Sequence, residues 1–437
     1  MSDPSTFTYV GFEIDATQRS LRCHYTCGGE DFTETVTIPG GDLSQPGVEA
    51  AAVLYFLLAG VSYLKTRASL AVDLGALPST REERSFLRTY LVEGLGEFAL
   101  KNNLDLSAME ISGPEGLPAP APTTLSAGSV LIPFGGGLDS IVTVAELAGR
   151  AERAALFVAE RPGARFAAIE EAAAVTGLTV IRAERSLDPK VLESATRGYL
   201  NGHVPVTGVL SALAVLTAVA CGFESVAMSN ERSASSATTK GPSGPVNHQW
   251  SKGAVFEAGF RTLVAGRIQG LEYFSWLRDR SEVSIAEVFA GLDEYHHVFR
   301  SCNRAFHQDP KRRLDDWCGV CDKCLFIDLV LAPHLTPEQL RSIFGGREPL
   351  ENPDLSQQLR VLVGASDAAR PFECVGDEAE CREALVAAAS RRDRSGDSHL
   401  QALVAEVRRL PDLSGDHGPH LDITFIPERY ATPNRLG

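Results

Sequence analysis

The chain holds 437 residues, 44% of them apolar and 22% charged, which is enough to bury a core and excludes a globally disordered polypeptide. Lysine plus arginine number 41 against 56 aspartates and glutamates, and a formal net charge of −15 excludes a phosphate backbone as the main partner. Nine cysteines do not staple a secreted scaffold of this length, and no basic-then-apolar leader opens the chain. The most apolar stretch, Ala50 to Leu64, falls short of the ~20 residues of a membrane span, so a cytoplasmic protein with no membrane or nucleic-acid partner is expected.

At ~150 residues per domain, two or three domains are expected. Alternating segments Tyr9–Ile14, Leu21–Tyr25 and Phe32–Ile38, separated by turn residues, predict a three-stranded antiparallel meander. Helical patterns follow at Val48–Thr66 and Thr80–Lys101, with a short strand Ser69–Val72 between them. Ser112 to Thr124 carries Pro114, Pro118, Pro120 and Pro122 without apolar periodicity and reads as a linker. Beyond it, apolar runs at Ser129–Pro133, Ala154–Val158, Thr179–Arg182 and Ser225–Met228 alternate with helices Asp139–Gly149, Arg165–Thr176 and Gly208–Ala220. That rhythm predicts an α/β fold whose parallel sheet is covered on both faces. Further helices are expected at Ser251–Ile268, Ser284–Leu292, Asp322–Leu331, Glu378–Arg391 and Ser398–Arg409. The expected organisation is an N-terminal α+β module at 1–112, a core at 125–300 and a mixed C-terminal region at 301–437.

The most informative segment is the apolar run Val130–Pro133 leading through Phe134 into Gly135-Gly136-Gly137-Leu138-Asp139-Ser140. Glycines let backbone amides approach an anion, and the helix opening at Asp139-Ser140 adds its positive pole, so a phosphate fits there without a lysine. No Gly-Lys-Ser/Thr follows and the glycine spacing is not the dinucleotide fingerprint. The hexapeptide resembles the PP-loop of the N-type ATP pyrophosphatases, usually Ser-Gly-Gly-x-Asp-Ser. Gly135 stands where that loop has its first serine, while Gly136, Gly137, Asp139 and Ser140 keep the pattern. The resemblance implies a doubly wound, HUP-like core, ATP cleaved between its α- and β-phosphates, pyrophosphate held by the glycine amides and Ser140, and Mg²⁺ organised by Asp139.

A second polar burst follows the strand Ser225–Met228. Ser229-Asn230-Glu231-Arg232-Ser233-Ala234-Ser235 and then Asn247-His248-Gln249-Trp250-Ser251-Lys252-Gly253 lead into a helix bearing Glu257. Carboxyl ends of parallel strands face the ligand crevice of open α/β sheets, so a substrate site belongs there. Arg232 and Lys252 would clamp phosphate or carboxylate, and Glu231, His248 and Glu257 are candidates for proton transfer. Together with the loop, Trp317–Phe326 and Pro371–Gly376, these segments resemble the MurL family, ATP-dependent epimerases of UDP-N-acetylmuramoyl-L-alanyl-L-glutamate. The resemblance implies adenylylation of a carboxylate, which removes its charge and lets the α-proton leave and return on the other face, in peptidoglycan precursor synthesis. It also implies a UDP-linked muramoyl dipeptide as substrate.

Cys302 and Cys318-Gly319-Val320-Cys321-Asp322-Lys323-Cys324 have the spacing of a structural Zn²⁺ site, with Cys302, Cys318, Cys321 and Cys324 as ligands. The arrangement is similar to the zinc site of the 7-cyano-7-deazaguanine synthases, also PP-loop enzymes. Ordinary packing of Cys321 and Cys324 on one helix face is the alternative. A third reading makes a thiol the acid or base, with Cys318 and Cys374 as candidates. Two rival functions share parts of the pattern: a nitrile-forming ligase of the deazaguanine synthase type, and a nucleotide-binding regulatory module without turnover.

Overall fold

Near the start of the chain, side chains that alternate in polarity form the antiparallel strands β1 (Thr6–Asp15), β2 (Ser20–Cys27) and β3 (Glu30–Thr37). Phe7, Tyr9, Tyr25, Phe32 and Val36 all turn inward, as the two-residue period requires. These elements come from a computed structural model that describes residues 6–116, 119–242, 244–307, 310–411 and 424–431. Pro118 of the proline-rich segment lies outside the described residues.

The expected helix at Val48–Thr66 is realised as Val48–Ala59 followed by one turn, Val61–Leu64. That at Thr80–Lys101 divides at Leu95 into Arg81–Gly94 and Gly96–Asn102, the first opened by a capping box between Thr80 and Glu83. Short strands β4 (Ala71–Asp73) and β5 (Glu110–Ser112) flank them. The alternating part then supplies β6 (Ser126–Pro133), β7 (Arg153–Glu160), β8 (Thr179–Ser186) and β9 (Phe223–Met228). A hairpin of β10 (Thr239–Gly241) and β11 (Gly244–Val246) precedes β12 (Glu272–Ser275).

Ten of these strands form one mixed, mostly parallel sheet in the order β12-β9-β6-β7-β8-β3-β2-β1-β4-β5. From β12 to β8 every pairing is parallel. The meander does not stand apart: β3 runs antiparallel beside β8, with Thr35 opposite Ser186 and Thr37 opposite Glu184. The seam is fixed by a buried charge pair. Arg185 Nε and Nη2 donate to the Glu34 carboxylate at 2.8 and 3.0 Å, and the Tyr55 and Tyr63 hydroxyls donate to the same carboxylate.

Two apolar layers cover the sheet. Leu131 and Val226 face a layer shared with the meander and the helix Val206–Cys221, whereas Val130, Ile132 and Ala227 face one built with the C-terminal helices. A strand buried on both faces is what the unbroken apolar runs dictate. Helix Asp322–Leu331 is the hub of the second layer; Glu378–Ala389 packs on it, and Ser398–Val407 packs on Glu378–Ala389. Residues 424–431 return to the β9–β12 edge, where Arg429 pairs with Glu224 and Glu272. Among the described residues no helix is long and apolar enough to cross a membrane. In this strand order the chain leaves β6 toward β7 on one side and reaches β9 on the other, which makes the carboxyl ends of β6 and β9 the switch point at which open α/β sheets hold their ligand crevice.

Candidate active site at the carboxyl ends of β6 and β9

The glycine turn joins β6 to the helix Leu138–Leu147, which starts at Gly137 with no side-chain cap on its first amides. Gly136 has φ +71°, and a Cβ there would stand 2.6 Å from the Ala168 carbonyl oxygen. Only glycine lets the turn lie this close to the neighbouring backbone. A Cβ on Gly137 would meet Ser301 Oγ at 2.9 Å, so segment 300–301 closes the other side, and Arg300 N donates to the Gly136 carbonyl at 3.2 Å. Gly135 is exposed and open. Ser140 Oγ donates to the Gly137 carbonyl at 3.0 Å, so the uncapped amides of the first turn remain for an anion.

Beside this turn sits a knot of buried charge. Desolvation and the neighbouring Glu231 push the Asp139 carboxyl up to about 6, against the pull of Lys323 and Lys252. Burial, Asp139 and Glu231 likewise raise Glu282 well above the carboxylate range, and burial with Asp377 raises Glu380 to about 8. Glu231 Oε2 and Glu380 Oε2 are buried without a hydrogen-bond partner. Lys252 works against its own burial: Cys374, Glu231 and Asp139 together hold its ammonium charged. Carboxylates this crowded are stabilised by an added cation.

Glu257 plays a different part. Its Oε1 accepts from Ser275 N at 2.8 Å and its Oε2 from Arg278 Nε at 2.9 Å. Arg278 in turn donates to the Glu231 carbonyl at 2.7 Å and to the Lys252 carbonyl. This buried pair therefore fixes the backbone under Glu231 and Lys252, and both carboxylate oxygens are already taken up.

His248 leads from the knot toward the N-terminal part of the chain. Its Nδ1 contacts Glu97 Oε2 at 2.5 Å, and its ring lies 4.3 Å from that of His203. Although burial opposes its charge, hydrogen bonds with Cys374 and Glu97 raise His248 to about 9. Burial alone would raise the Cys374 thiol. The Lys252 ammonium, the hydrogen bond with His248 and the Lys323 ammonium instead bring it down to about 7. Lys323 also donates to the Cys374 carbonyl. Glu97, His248, Cys374, Lys252 and Asp139 thus form one chain of neighbours from the helix Gly96–Asn102 to the glycine turn.

The sulfurs of Cys302, Cys318, Cys321 and Cys324 all lie within 4.8 Å of one another. Cys321 and Cys324 are 3.4 Å apart and Cys318 and Cys324 3.7 Å, close to the ~3.8 Å edge of a tetrahedron built on bonds of ~2.3 Å. All nine cysteines are free thiols.

Of the residues singled out from the sequence, Asp139, Glu231, Lys252, His248 and Cys374 come together at the crevice. Cys318 belongs to the sulfur cluster, and the Arg232 side chain is exposed. Glu97, Arg278, Glu282, Lys323 and Glu380 are added. Arg278 follows a strand, β12, too short and too polar at Glu272 to announce itself. Glu97 sits in an ordinary amphipathic helix, and its pairing with His248 spans a separation in sequence that no local pattern carries. A cleft of about 450 Å³ lies alongside, lined by Ser233, Thr238, Lys240, Gln249, Arg370 and Asp377 among others.

A glycine turn with uncapped amides, a carboxylate knot and a thiol–imidazole–carboxylate chain around one crevice are the equipment of an enzyme. The family model described as the MurL N-terminal domain matches residues 1–276, and that described as the MurL C-terminal domain matches residues 298–417. A Xanthomonas oryzae pv. oryzae protein named UDP-N-acetyl-alpha-D-muramoyl-L-alanyl-L-glutamate epimerase is 36% identical over 413 residues, 92% of this chain and 90% of its own length. Proteins with the same name from Salinispora tropica and a Micromonospora species are 33% and 34% identical, covering 97% of this chain and 94% and 96% of their own lengths. No solved structure matches the chain. The protein is an isomerase of the epimerase class. It belongs to the MurL family.

Proposed function

We propose that this enzyme converts the terminal L-glutamate of UDP-N-acetylmuramoyl-L-alanyl-L-glutamate to D-glutamate, using ATP to activate the glutamate carboxylate and releasing AMP and pyrophosphate. The activity comes from the names of relatives at 33–36% identity, and the observation that carries the ATP step is the uncapped helix start after Gly137, with Asp139 and Glu231 crowded beside it. In this reading the parallel half of the sheet is a doubly wound, HUP-like core of the PP-loop superfamily. The amides of Gly135, Gly136 and Gly137 with Ser140 bind the pyrophosphate portion of ATP. Mg²⁺ supplies charge neutralisation for the phosphates, and Asp139 and Glu231, whose repulsion and unpaired oxygen suit a divalent cation, would hold it. Zn²⁺ fits the sulfur tetrahedron of Cys302, Cys318, Cys321 and Cys324, where it would knit the turn before the helix Asp322–Leu331.

The α-hydrogen of a glutamate bearing a free carboxylate is very weakly acidic, because its removal sets two negative charges together. An acyl-adenylate has lost that carboxylate charge, so its carbonyl accepts the developing electron pair. Glu231 and His248 are assigned to proton transfer. Glu257 is assigned to holding Arg278. Lys252 would steady the anionic oxygens, and the adjoining cleft gives room for the body of a nucleotide-linked substrate. The setting is the cytoplasm, where ATP is supplied.

The test incubates the protein with ATP, Mg²⁺ and the muramoyl dipeptide in deuterated water. AMP formation, D-glutamate after hydrolysis and deuterium at the α-carbon are expected. A nitrile-forming ligase would demand a nitrogen donor and leave the α-hydrogen unexchanged, and either finding would overturn the assignment.

A further inference from the structure

The chain of contacts ending at Cys374 has a chemistry that plain proton exchange leaves unused. A thiol beside an imidazole whose Nδ1 meets a buried carboxylate is the arrangement of nucleophile, base and orienting group that serves acyl transfer on unrelated folds. Here the members are Cys374, His248 and Glu97. Glu97 Oε2 lies 2.5 Å from His248 Nδ1 and fixes the ring. The His203 ring lies tilted at 4.3 Å from that ring, and the ring of Phe372, two residues before the thiol, lies 6.1 Å from it. Lys323 Nζ donates to the Cys374 carbonyl, and the charges of Lys252 and Lys323 both favour the thiolate. Lys252 also neighbours Asp139 and Glu231, which puts the thiol one side chain away from the glycine turn where a carboxylate would be adenylylated.

We propose that Cys374 is a catalytic nucleophile that takes the substrate's acyl group from the adenylate as a thioester, and that the α-proton is exchanged on this covalent intermediate. The proposal rests on the adenylylation reading above. Its atoms balance. The Cys374 thiolate, its proton held by His248, forms an Sγ–C bond to the acyl carbon of the acyl-adenylate. The C–O bond to the adenylyl phosphate breaks and AMP leaves with that oxygen and the electron pair. After inversion, water adds to the thioester carbonyl, its hydroxyl becoming part of the regenerated carboxylate. The C–S bond breaks, and the released protons return to the Cys374–His248 pair and to solvent. Nothing is oxidised or reduced, and the sum is ATP plus water to AMP plus pyrophosphate.

Two chemical reasons favour the transfer. Sulfur donates electrons to a carbonyl poorly, so a thioester keeps the acidified α-hydrogen that the free carboxylate lacks. A mixed anhydride with phosphate is also readily cut by water, whereas a thioester tied to the protein persists through loss and return of a proton. Glu97 is the positioning residue of this set. It touches no reacting atom and acts through His248.

The decisive experiment is an acid quench of the full-length protein during its first turnovers with ATP, Mg²⁺ and the muramoyl dipeptide, followed by peptide mass mapping. An adduct of substrate mass minus one water is expected on the peptide containing Cys374, removed by neutral hydroxylamine and absent without ATP. Substrate-dependent exchange of labelled pyrophosphate into ATP, measured on the same wild-type sample, reports the adenylylation reading separately. Exchange without any adduct at Cys374, in a sample that epimerises, overturns the thioester and leaves adenylylation standing. Absence of exchange removes the adenylylation reading itself and the thioester with it. In the Cys374→Ala variant the adduct is lost and epimerisation falls on the order of 10³-fold or more. Wild-type turnover in that variant would overturn the proposal.

Discussion

At the scale of single residues the site turns on two protons. Cys374 is brought down to about 7 and His248 is raised to about 9, so the thiolate–imidazolium pair prevails between those values. Activity should rise as pH climbs through about 7, where the thiol ionises, and fall through about 9, where the imidazolium is lost; the two limbs belong to the pair. Glu97→Gln removes the anion that favours the charged ring. Its basic limb should shift to lower pH and kcat should drop about 10²-fold, with KM for ATP unchanged, as a pH–rate profile would show. Glu257 gives the contrasting case. In Glu257→Ala, Arg278 is left buried without its carboxylate partner, so ~3–5 kcal/mol of stability should be lost in denaturant unfolding. A Glu257→Gln variant that kept full stability and lost only α-deuterium exchange would return Glu257 to the proton-transfer roles. Residues were legible in the sequence where a motif named them, as with Gly136 and Asp139. Glu97 was not, because a partner supplied by distant backbone leaves no local trace.

At the scale of elements, the glycine turn and the β3–β8 seam make separate predictions. Gly136→Ala sets a Cβ against the Ala168 carbonyl at 2.6 Å in a left-handed conformation, so the turn must shift. ATP-dependent thermal stabilisation should vanish in this variant, while the unliganded Tm falls by only a few degrees. Glu34→Ala strands Arg185 at the seam together with the Tyr55 and Tyr63 hydroxyls, and a loss of ~3–5 kcal/mol should appear in urea unfolding. The long apolar runs and amphipathic periods showed β6 to β9 and most helices within a few residues of where they lie. β5, β12 and the β10–β11 hairpin escaped because strands of three or four residues hold too few positions to display a period. The helix division at Leu95 escaped for another reason: apolar spacing continues through it, and only packing decides where the axis changes.

At the scale of the whole molecule, the meander, the parallel strands and the C-terminal helices share one sheet and its two covering layers. The proline-rich segment reads as a linker by composition, yet β3 beside β8 makes the strands before and after it neighbours. That juxtaposition depends on which edge is free, information held in no single segment. Unfolding should therefore follow a single cooperative transition, with near-ultraviolet and far-ultraviolet signals changing together; two separated transitions would mean that the N-terminal strands fold independently. The site follows the same logic, since Glu97 and His248 fall in the part matched by the N-terminal family model and Lys323 and Cys374 in that matched by the C-terminal one. If the sulfur cluster holds Zn²⁺, freshly purified protein should carry about one equivalent by elemental analysis. Cys321→Ser should lower both that stoichiometry and Tm.

Lys323 lies between Cys321 and Cys324 in the chain, and its ammonium reaches the carbonyl of Cys374. On the proposed role of Cys374, a disturbance of the four sulfurs, whether by an oxidant or a chelator, should be felt one lysine later at that thiol. A centre remote from the chemistry would in that way set how briskly the thiol answers a small alkylating probe, and a dose of peroxide too mild to touch Cys374 itself should still slow its labelling.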